Sequence, residues 1–168
     1  MIDVEVFGLP ATADARTDVP DAAGVRELCV AAVARAGVRD GHLAVSFVDA
    51  ASIAELNARH RREPRPTDVL SFPIDGATAA GDVPEAARAG GDAVRATSQK
   101  DEPERELGDV VICIEHTTHV REAIVHGVLH LVGMDHETDD GEMLALQREV
   151  LASMRGTAGE SVAAREVR

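Results

Sequence analysis

Alternation of apolar and charged residues at the start of the chain predicts a β-strand. Ile2, Val4 and Val6 fall on one face, with Asp3 and Glu5 on the other, which is typical of a half-buried strand. Further strands are predicted at positions 42–48, 68–73 and 109–114. We expect these strands to form one sheet.

Apolar residues at helical spacing fill the intervals between and after the strands. The first helix follows a cap at Asp18 or Asp21 and ends before Gly37, and Asp49 can cap a short helix over positions 50–58. Two later helices are predicted at positions 117–132 and 139–155, the last with an apolar stripe of Met143, Leu146, Val150 and Met154.

Imperfect alternation of strands and helices predicts an α+β fold, a single mixed α/β domain with a central sheet and a helix that carries histidines. The chain has 168 residues, the length of one ordinary domain. We assign positions 1–155 to this domain. Positions 76–106 are rich in Gly, Ala and charge and are interpreted as a mobile surface loop, and positions 156–168 as a disordered tail.

The charge of the chain restricts its partners. Seventeen Lys and Arg against thirty Asp and Glu give a net charge of −13, so the protein as a whole repels polyanions and is not a general nucleic-acid coat. Any contact with nucleic acid must be local. The chain has no Trp or Tyr and only three Phe, which argues against an aromatic base-stacking platform.

Nothing in the sequence indicates a membrane or an oxidising compartment. The apolar runs are far shorter than a membrane span, and the acidic first residues do not fit a signal or transit peptide. Cys29 and Cys113 lie far apart in apolar surroundings and are interpreted as reduced core residues. We therefore expect a cytoplasmic protein with no membrane partner.

Three histidines form the strongest chemical pattern, in the segment HGVLHLVGMDH at positions 126–136. His126 and His130 lie four apart on a predicted helix, so their rings emerge on one face. A continuing helix would carry His136 about 15 Å along the axis, but Gly133 can end the helix and turn the chain back. Three imidazoles with an open fourth position are typical of a catalytic zinc site.

The same spacing occurs in metzincin proteases, which have a Glu after the first histidine as general base. Gly127 occupies that position here, so hydrolysis of peptides by that route is disfavoured. Asp135 and Glu137 flank the third ligand, and Asp135 is expected to orient an imidazole or to cap the turn. His119 is expected near the surface or behind the ligands, and His42, His60 and His116 have no ligand spacing.

An arginine-rich segment precedes the third predicted strand. Arg59, Arg61, Arg62 and Arg65 form a dense positive patch in an otherwise acidic chain. Such a run is often a solvated surface. Beside a metal site, guanidinium groups would instead bind phosphate oxygens and stabilise charge in a phosphoryl transition state.

Taken together, HGVLHLVGMDH, PTDVLSFP and LGDVVIC resemble the YbeY family of bacterial endoribonucleases, also described as rRNA maturation factors. The resemblance covers about residues 40–136 and implies a mixed α/β fold and a single-strand-specific endoribonuclease that holds one zinc ion. It implies His126, His130 and His136 as zinc ligands and Arg61 as the active-site arginine, while Arg62 and Arg65 are candidates for substrate binding.

The implied role is maturation of the small-subunit (16S) rRNA 3′ end and ribosome quality control, with single-stranded rRNA, the small ribosomal subunit and its assembly proteins as partners.

Two departures from the family pattern stand out. The stretch at positions 114–125 is shorter than usual and the loop at 76–106 is longer. Either departure can alter access of RNA to the cleft.

Two other functions remain open at this point. The protein can be a non-catalytic, zinc-stabilised ribosome-assembly factor, since an acidic surface suits basic ribosomal proteins. It can also be a metal-dependent hydrolase of another ester, in which Arg61 would have no role. A chelator-controlled cleavage assay separates the enzyme from the assembly factor.

Overall fold

Four strands and four helices make up the part of the chain that the computed structural model describes, which is residues 1–10, 18–74 and 105–160, with side chains through residue 155. The strands are β1 (Ile2–Phe7), β2 (Gly41–Val48), β3 (Val69–Pro73) and β4 (Glu106–Cys113). The helices are α1 (Ala22–Arg35), α2 (Ala50–Arg61), α3 (Val120–Leu131) and α4 (Glu142–Glu160). A single 3₁₀ turn (Ile114–His116) follows β4.

The strands form one mixed sheet in the order β1-β2-β4-β3. β1, β2 and β4 are parallel, and β3 pairs antiparallel with β4 at the edge. Helices α1, α3 and α4 pack on one face and bury the main core against it. Helix α2 covers part of the other face through Ile53 and Leu56. The predicted α+β fold with a central sheet and a histidine-bearing helix is confirmed.

Aspartate side chains cap the first two helices. Asp21 accepts a hydrogen bond from the backbone N–H of Gly24 at 2.8 Å, and Asp49 accepts one from Ser52 at 2.8 Å. Of the two caps predicted for α1, Asp21 rather than Asp18 is the one used. The Ser52 hydrogen bonds hold the pKa of Asp49 below its ordinary value.

Strand β4 begins at Glu106, three residues before the predicted start and at the last position of the predicted loop 76–106. Gly108 lies inside this strand, and its conformation and surroundings require glycine. Its φ is +127°, and a Cβ there would lie 2.1 Å from the carbonyl oxygen of Phe72. Residues 76–104 of the predicted loop lie outside the described residues.

Other boundaries differ by a few residues. Helix α2 continues to Arg61, three residues beyond the predicted end at position 58. Helix α3 begins at Val120 because the 3₁₀ turn occupies the preceding stretch. Helix α4 continues to Glu160, within the predicted tail, and residues 161–168 lie outside the described part.

Both cysteines are reduced and buried, as expected. Burial raises the pKa of the Cys29 thiol to about 12, so the thiol stays protonated and acts as a small core residue. None of the helices in the described ranges has the length and apolar character needed to cross a membrane.

Candidate metal centre

Helix α3, which is mostly buried, carries the first two histidines. Eight of its twelve residues are buried, and it packs between the sheet and helices α1 and α4. His126 and His130 are partly exposed on the remaining face. The predicted positions of both side chains on one face of a helix are confirmed.

The helix ends in a turn that brings the third histidine back to the first two. Gly133 has φ +92°, and its N–H donates to the carbonyl of His130 at 3.0 Å, while Met134 donates to Leu129 at 3.0 Å. These two bonds form a Schellman motif, which needs a left-handed residue after the helix. A Cβ at this position would meet no atom within 4 Å, so glycine is needed for its φ alone.

The three imidazoles form a nearly equilateral triangle. Their ring centroids are 4.7 Å apart for His126 and His130, 5.1 Å for His126 and His136, and 5.2 Å for His130 and His136. One ring nitrogen from each lies within 4.8 Å of the others. Within the described residues, this is the one group of three or more His, Cys, Asp or Glu with such spacing. The predicted convergence is confirmed.

The environment of the cluster keeps an imidazole in its neutral form. Burial lowers the pKa of His130, and the adjacent rings of His126 and His136 lower it further. A neutral imidazole is the form that binds a metal ion. The cluster therefore favours cation binding near neutral pH without a large cost of deprotonation.

A hydrogen-bonded pair behind the cluster fixes the orientation of His126. Gln147 of α4 is only 5% exposed, and its Nε2 donates to Oε1 of Glu122 at 3.0 Å. Its Oε1 therefore faces Nδ1 of His126, at 2.9 Å. Because an amide oxygen only accepts, Nδ1 carries the proton and Nε2 of His126 keeps its lone pair for a ligand.

Gly127 packs so closely against the sheet that the glutamate found after the first histidine in metzincin proteases cannot occupy this position. A Cβ there would lie 2.6 Å from Cγ1 of Val110 and 3.0 Å from Cγ2 of Val69. The position faces the sheet, where there is no space for a side chain. Close approach also allows Ser71 Oγ to donate to the carbonyl of Gly127 at 2.8 Å, which ties α3 to β3.

Two clefts border the histidine cluster. The first, the arginine cleft, has a cavity of about 490 Å³ and is lined by Arg61, Thr67, Asp68, Val69, Ser71, Pro73, His126, His130, Asp135, His136 and Glu137. The second, the threonine cleft, has a cavity of about 410 Å³ and is lined by Asp68, Val69, His116, Thr117, Thr118, His119, Glu122, Ala123, His126, His136, Leu144 and Gln147.

The three predicted arginines take different positions. Arg61, the last residue of α2, lines the arginine cleft with all three histidines. Arg62 and Arg65 are exposed and do not line it. The guanidinium of Arg65 pairs with Glu63 at 3.0 Å.

A buried asparagine holds the arginine turn, residues 61–65, which begins at the last residue of α2. Asn57 is 2% exposed, and its Nδ2 donates to the carbonyl of Arg65 at 2.9 Å. The Asn57 carbonyl accepts the N–H of Arg62, which has φ +60°. This left-handed residue ends α2 and directs the chain into β3.

The other candidate residues divide between turn and surface. Asp135 accepts the N–H of Glu137 at 3.0 Å and so caps the turn, which is one of its two expected roles. His116 and His119 are exposed and line the threonine cleft. His60 stacks edge-on against Phe72, with ring centroids 4.6 Å apart. His42 contacts Glu5 and Glu106.

Sequence reasoning missed Gln147, Glu122 and Asn57. Gln147 lies on the buried stripe of α4, four residues after Met143 and three before Val150. A polar residue among apolar helix positions is the signal that would have found it, because buried amides need partners. Asn57 carries a weaker signal, since its helix has few apolar positions.

The chemistry of the donor set fits zinc. Three neutral imidazoles, with the tautomer of one fixed by Gln147, match the nitrogen ligands and the open position of catalytic zinc sites. The cluster lies at the boundary of two clefts, where a ligand can reach a fourth position. Zinc binding itself stays a prediction.

Comparison with known proteins gives a consistent assignment. The family model described as Endoribonuclease YbeY matches residues 21–155. A curated protein named Endoribonuclease YbeY from Nitrobacter hamburgensis is 40% identical over 129 residues, which are 68% of this chain and 59% of the relative. One from Bradyrhizobium sp. is 37% identical over 161 residues, 84% of each chain.

A solution structure from Thermotoga maritima is also similar, with 20% identity and a TM-score of 0.46 over 98% of this chain and 99% of that one. The family model covers most of the chain and includes all three histidines and the arginine turn. The chain therefore belongs to the YbeY family.

Proposed function

We propose that this protein is a zinc-dependent, single-strand-specific endoribonuclease that matures the 3′ end of the small-subunit (16S) rRNA and takes part in ribosome quality control. One observation carries the proposal: three convergent imidazoles and the guanidinium of Arg61 line the same cleft. The relatives that carry the name Endoribonuclease YbeY support it. A catalytic cation site beside an arginine suits a phosphodiester.

His126, His130 and His136 would hold one zinc ion. When bound, zinc supplies Lewis acidity that polarises a phosphoryl oxygen and makes water a stronger acid near neutral pH. Gln147 keeps the proton of His126 on Nδ1 and so leaves Nε2 for the ion. Burial and the neighbouring rings, which lower the pKa of His130, keep that imidazole neutral.

Arg61 binds the non-bridging oxygens of the scissile phosphate and balances the charge that grows in the transition state. Its position at the end of α2, in the cleft with the histidines, supports this role. Arg62 and Arg65 are exposed beside it. We assign to them weaker contacts with phosphates further along the strand.

In the proposed reaction, a water oxygen forms a new bond to phosphorus and one P–O ester bond breaks. The departing ribose oxygen takes up a proton, and the water gives one up. Asp68, Asp135 and Glu137 are the carboxylates that line the arginine cleft, and they are the candidates for accepting the proton of the water. Attack by the 2′-hydroxyl would leave a cyclic phosphate instead, so analysis of the product ends separates the two routes.

The net charge of −13 means that RNA is captured locally at the arginine turn rather than by the whole surface. The acidic surface suits contact with basic proteins of the small ribosomal subunit and its assembly factors. Precursor rRNA as substrate is consistent with a cytoplasmic protein.

Replacement of Arg61 tests the chemistry. Arg61→Ala should reduce cleavage of single-stranded RNA at least about 100-fold, because a charged donor to the transition state is lost, while zinc content stays the same. Arg59→Ala is the matched control, since Arg59 lies on the same helix, pairs with Glu55 and does not line the cleft. Unchanged cleavage of RNA by Arg61→Ala would contradict the role of Arg61. Hydrolysis of another ester would be favoured if the protein cleaves a simple phosphate ester but no RNA.

Metal removal tests the zinc site. Chelation, or His126→Ala, should abolish cleavage while circular dichroism shows a folded protein, and added zinc should restore only the unsubstituted enzyme. If the chelated protein unfolds, or if the zinc-loaded protein cleaves no RNA, the non-catalytic assembly factor is the better description.

A further inference from the structure

The threonine cleft has no role in the function proposed above. Its cavity of about 410 Å³ lies within the range of small-molecule sites, about 300–1,000 Å³. Asp68, Val69, His126 and His136 line both this cleft and the arginine cleft. The two cavities therefore meet at the histidine cluster.

The two clefts have the same formal charge but differ in whether they contain a cationic side chain, since the arginine cleft has three carboxylates beside Arg61. The arginine cleft contains Arg61, whereas none of the residues that line the threonine cleft is a Lys or an Arg. Two of them, Asp68 and Glu122, are carboxylates. A phosphate group is disfavoured beside these carboxylates without a cation. The threonine cleft is suited to an uncharged part of a ligand.

The side chains available in the threonine cleft are those that contact nucleosides. His116 and His119 are exposed imidazoles, and His119, the N-cap residue before α3, makes no side-chain cap hydrogen bond. Thr118 is exposed, and Leu144 adds an apolar surface that is 39% exposed. Imidazole rings stack on bases, and hydroxyls bond to base edges and ribose.

The chemistry of the substrate links the two clefts. A phosphodiester carries a nucleoside on each side, so a scissile phosphate held by Arg61 at the histidine cluster leaves one nucleoside beyond each edge of the cluster. We propose that the threonine cleft binds one of the two nucleosides next to the scissile phosphate of a single-stranded RNA. This inference rests on the proposed endoribonuclease function.

Paired substrates test the cleft. Uridylyl-(3′→5′)-adenosine carries nucleosides on both sides of its phosphate, and bis(p-nitrophenyl) phosphate carries none. The double substitution Thr118→Ala with His119→Ala should raise the KM for the dinucleotide about five-fold or more relative to the KM for the aryl ester, because a stacking contact is lost. His42→Gln, a histidine substitution outside both clefts, should leave that ratio unchanged. An unchanged ratio in the double variant would overturn the inference.

A binding measurement separates failure of this inference from failure of the proposed function. If neither substrate is cleaved, the endoribonuclease proposal fails, but the cleft can still be tested by NMR with the dinucleotide thymidylyl-(3′→5′)-deoxyadenosine, whose lack of a 2′-hydroxyl also excludes the cyclic-phosphate route. The dinucleotide should shift the ring signals of His116 and His119, assigned with His116→Gln and His119→Gln. Inorganic phosphate should shift neither. A dinucleotide that moves neither signal, or phosphate that moves both equally, refutes a nucleoside site.

Discussion

Helix α3, which carries His126 and His130, and the arginine turn, which contributes Arg61, border the same cleft but are held in place very differently. Helix α3 buries eight of its twelve residues, and α2 buries two of its twelve, Ile53 and Asn57. Contact with the sheet, with α4 and with Gln147 fixes the histidines. The arginine turn is held by the Asn57 side chain, which donates to Arg65, and by short-range backbone hydrogen bonds to Asn57 and Glu63.

The difference in burial between the two regions matches two different tasks, holding a metal ion and binding a phosphate. The ligands of a metal ion must stay in one geometry, and a closely packed helix provides that. A residue that follows a phosphate through a reaction benefits from a less restrained backbone. We expect substitutions around α3 to change metal affinity and stability, and substitutions around the arginine turn to change substrate binding.

The largest expected effect is that of Gln147→Leu on metal affinity. Leu keeps the side-chain volume but cannot accept the hydrogen bond from Nδ1 of His126. Zinc affinity measured by chelator competition should therefore fall about 10- to 100-fold. Arg148→Leu, an exposed neighbour on α4, is the control and should bind zinc as the unsubstituted protein does. Equal affinity for both variants would show that packing alone orients His126.

Gly127→Ala tests how closely α3 must approach the sheet. The new Cβ would meet Val110, and the overpacking should cost about 1–3 kcal/mol of unfolding free energy in urea titrations of the metal-free protein. Val110→Ala combined with Gly127→Ala should recover part of that loss in a double-mutant cycle. Strictly additive losses would mean that α3 adjusts without a collision.

Asn57→Ala tests the arginine turn. Loss of the hydrogen bond to the carbonyl of Arg65 should cost about 1 kcal/mol of unfolding free energy and raise the KM for RNA, with zinc affinity unchanged. Arg59→Ala, on the exposed side of α2, should change stability by less than about 0.5 kcal/mol. A drop in zinc affinity for Asn57→Ala would show that the two regions are coupled.

The smallest effect concerns His42, whose pKa is raised, whereas that of His130 is lowered. Burial lowers the pKa of His42, but the hydrogen bond and charge of Glu106 and the charges of Glu5 and Asp3 raise it more, so the net shift is upward. Its stabilising contribution is complete below the unfolded pKa, near 6.5, and is lost as the pH rises through the folded pKa.

Urea titrations of the metal-free protein from pH 5.5 to 8.5 measure this contribution. His42→Gln should remove a pH-dependent loss of less than about 1 kcal/mol. A stability profile that keeps the same slope in the variant would assign the titration to another group.

Most of the elements and the convergence of the three histidines could be predicted because they depend on local patterns. The strand alternation at Ile2–Phe7, the Asp49 cap and the turn at Gly133 each arise from residues close together in sequence. The convergence of the histidines also required only an eleven-residue stretch. Local sequence therefore contains the geometry of the cluster.

Features that depend on distant contacts could not be predicted. The early start of β4 depends on Gly108 lying against Phe72 of β3. The hydrogen bond between His126 and Gln147 joins residues 21 positions apart on different helices. The contribution of Arg61 to the same cleft as the histidines depends on β3 being an edge strand, which periodicity does not reveal.

The short span of the ligand stretch, residues 126–136, also affects the denatured chain. Imidazoles so near one another in sequence meet at an effective concentration on the order of millimolar even after the sheet has melted, so we expect the denatured protein to bind zinc weakly if the native site binds it. Zinc should therefore raise the melting temperature by less than its affinity for the native site would imply. During refolding, the same ion can gather this stretch before α4 has docked.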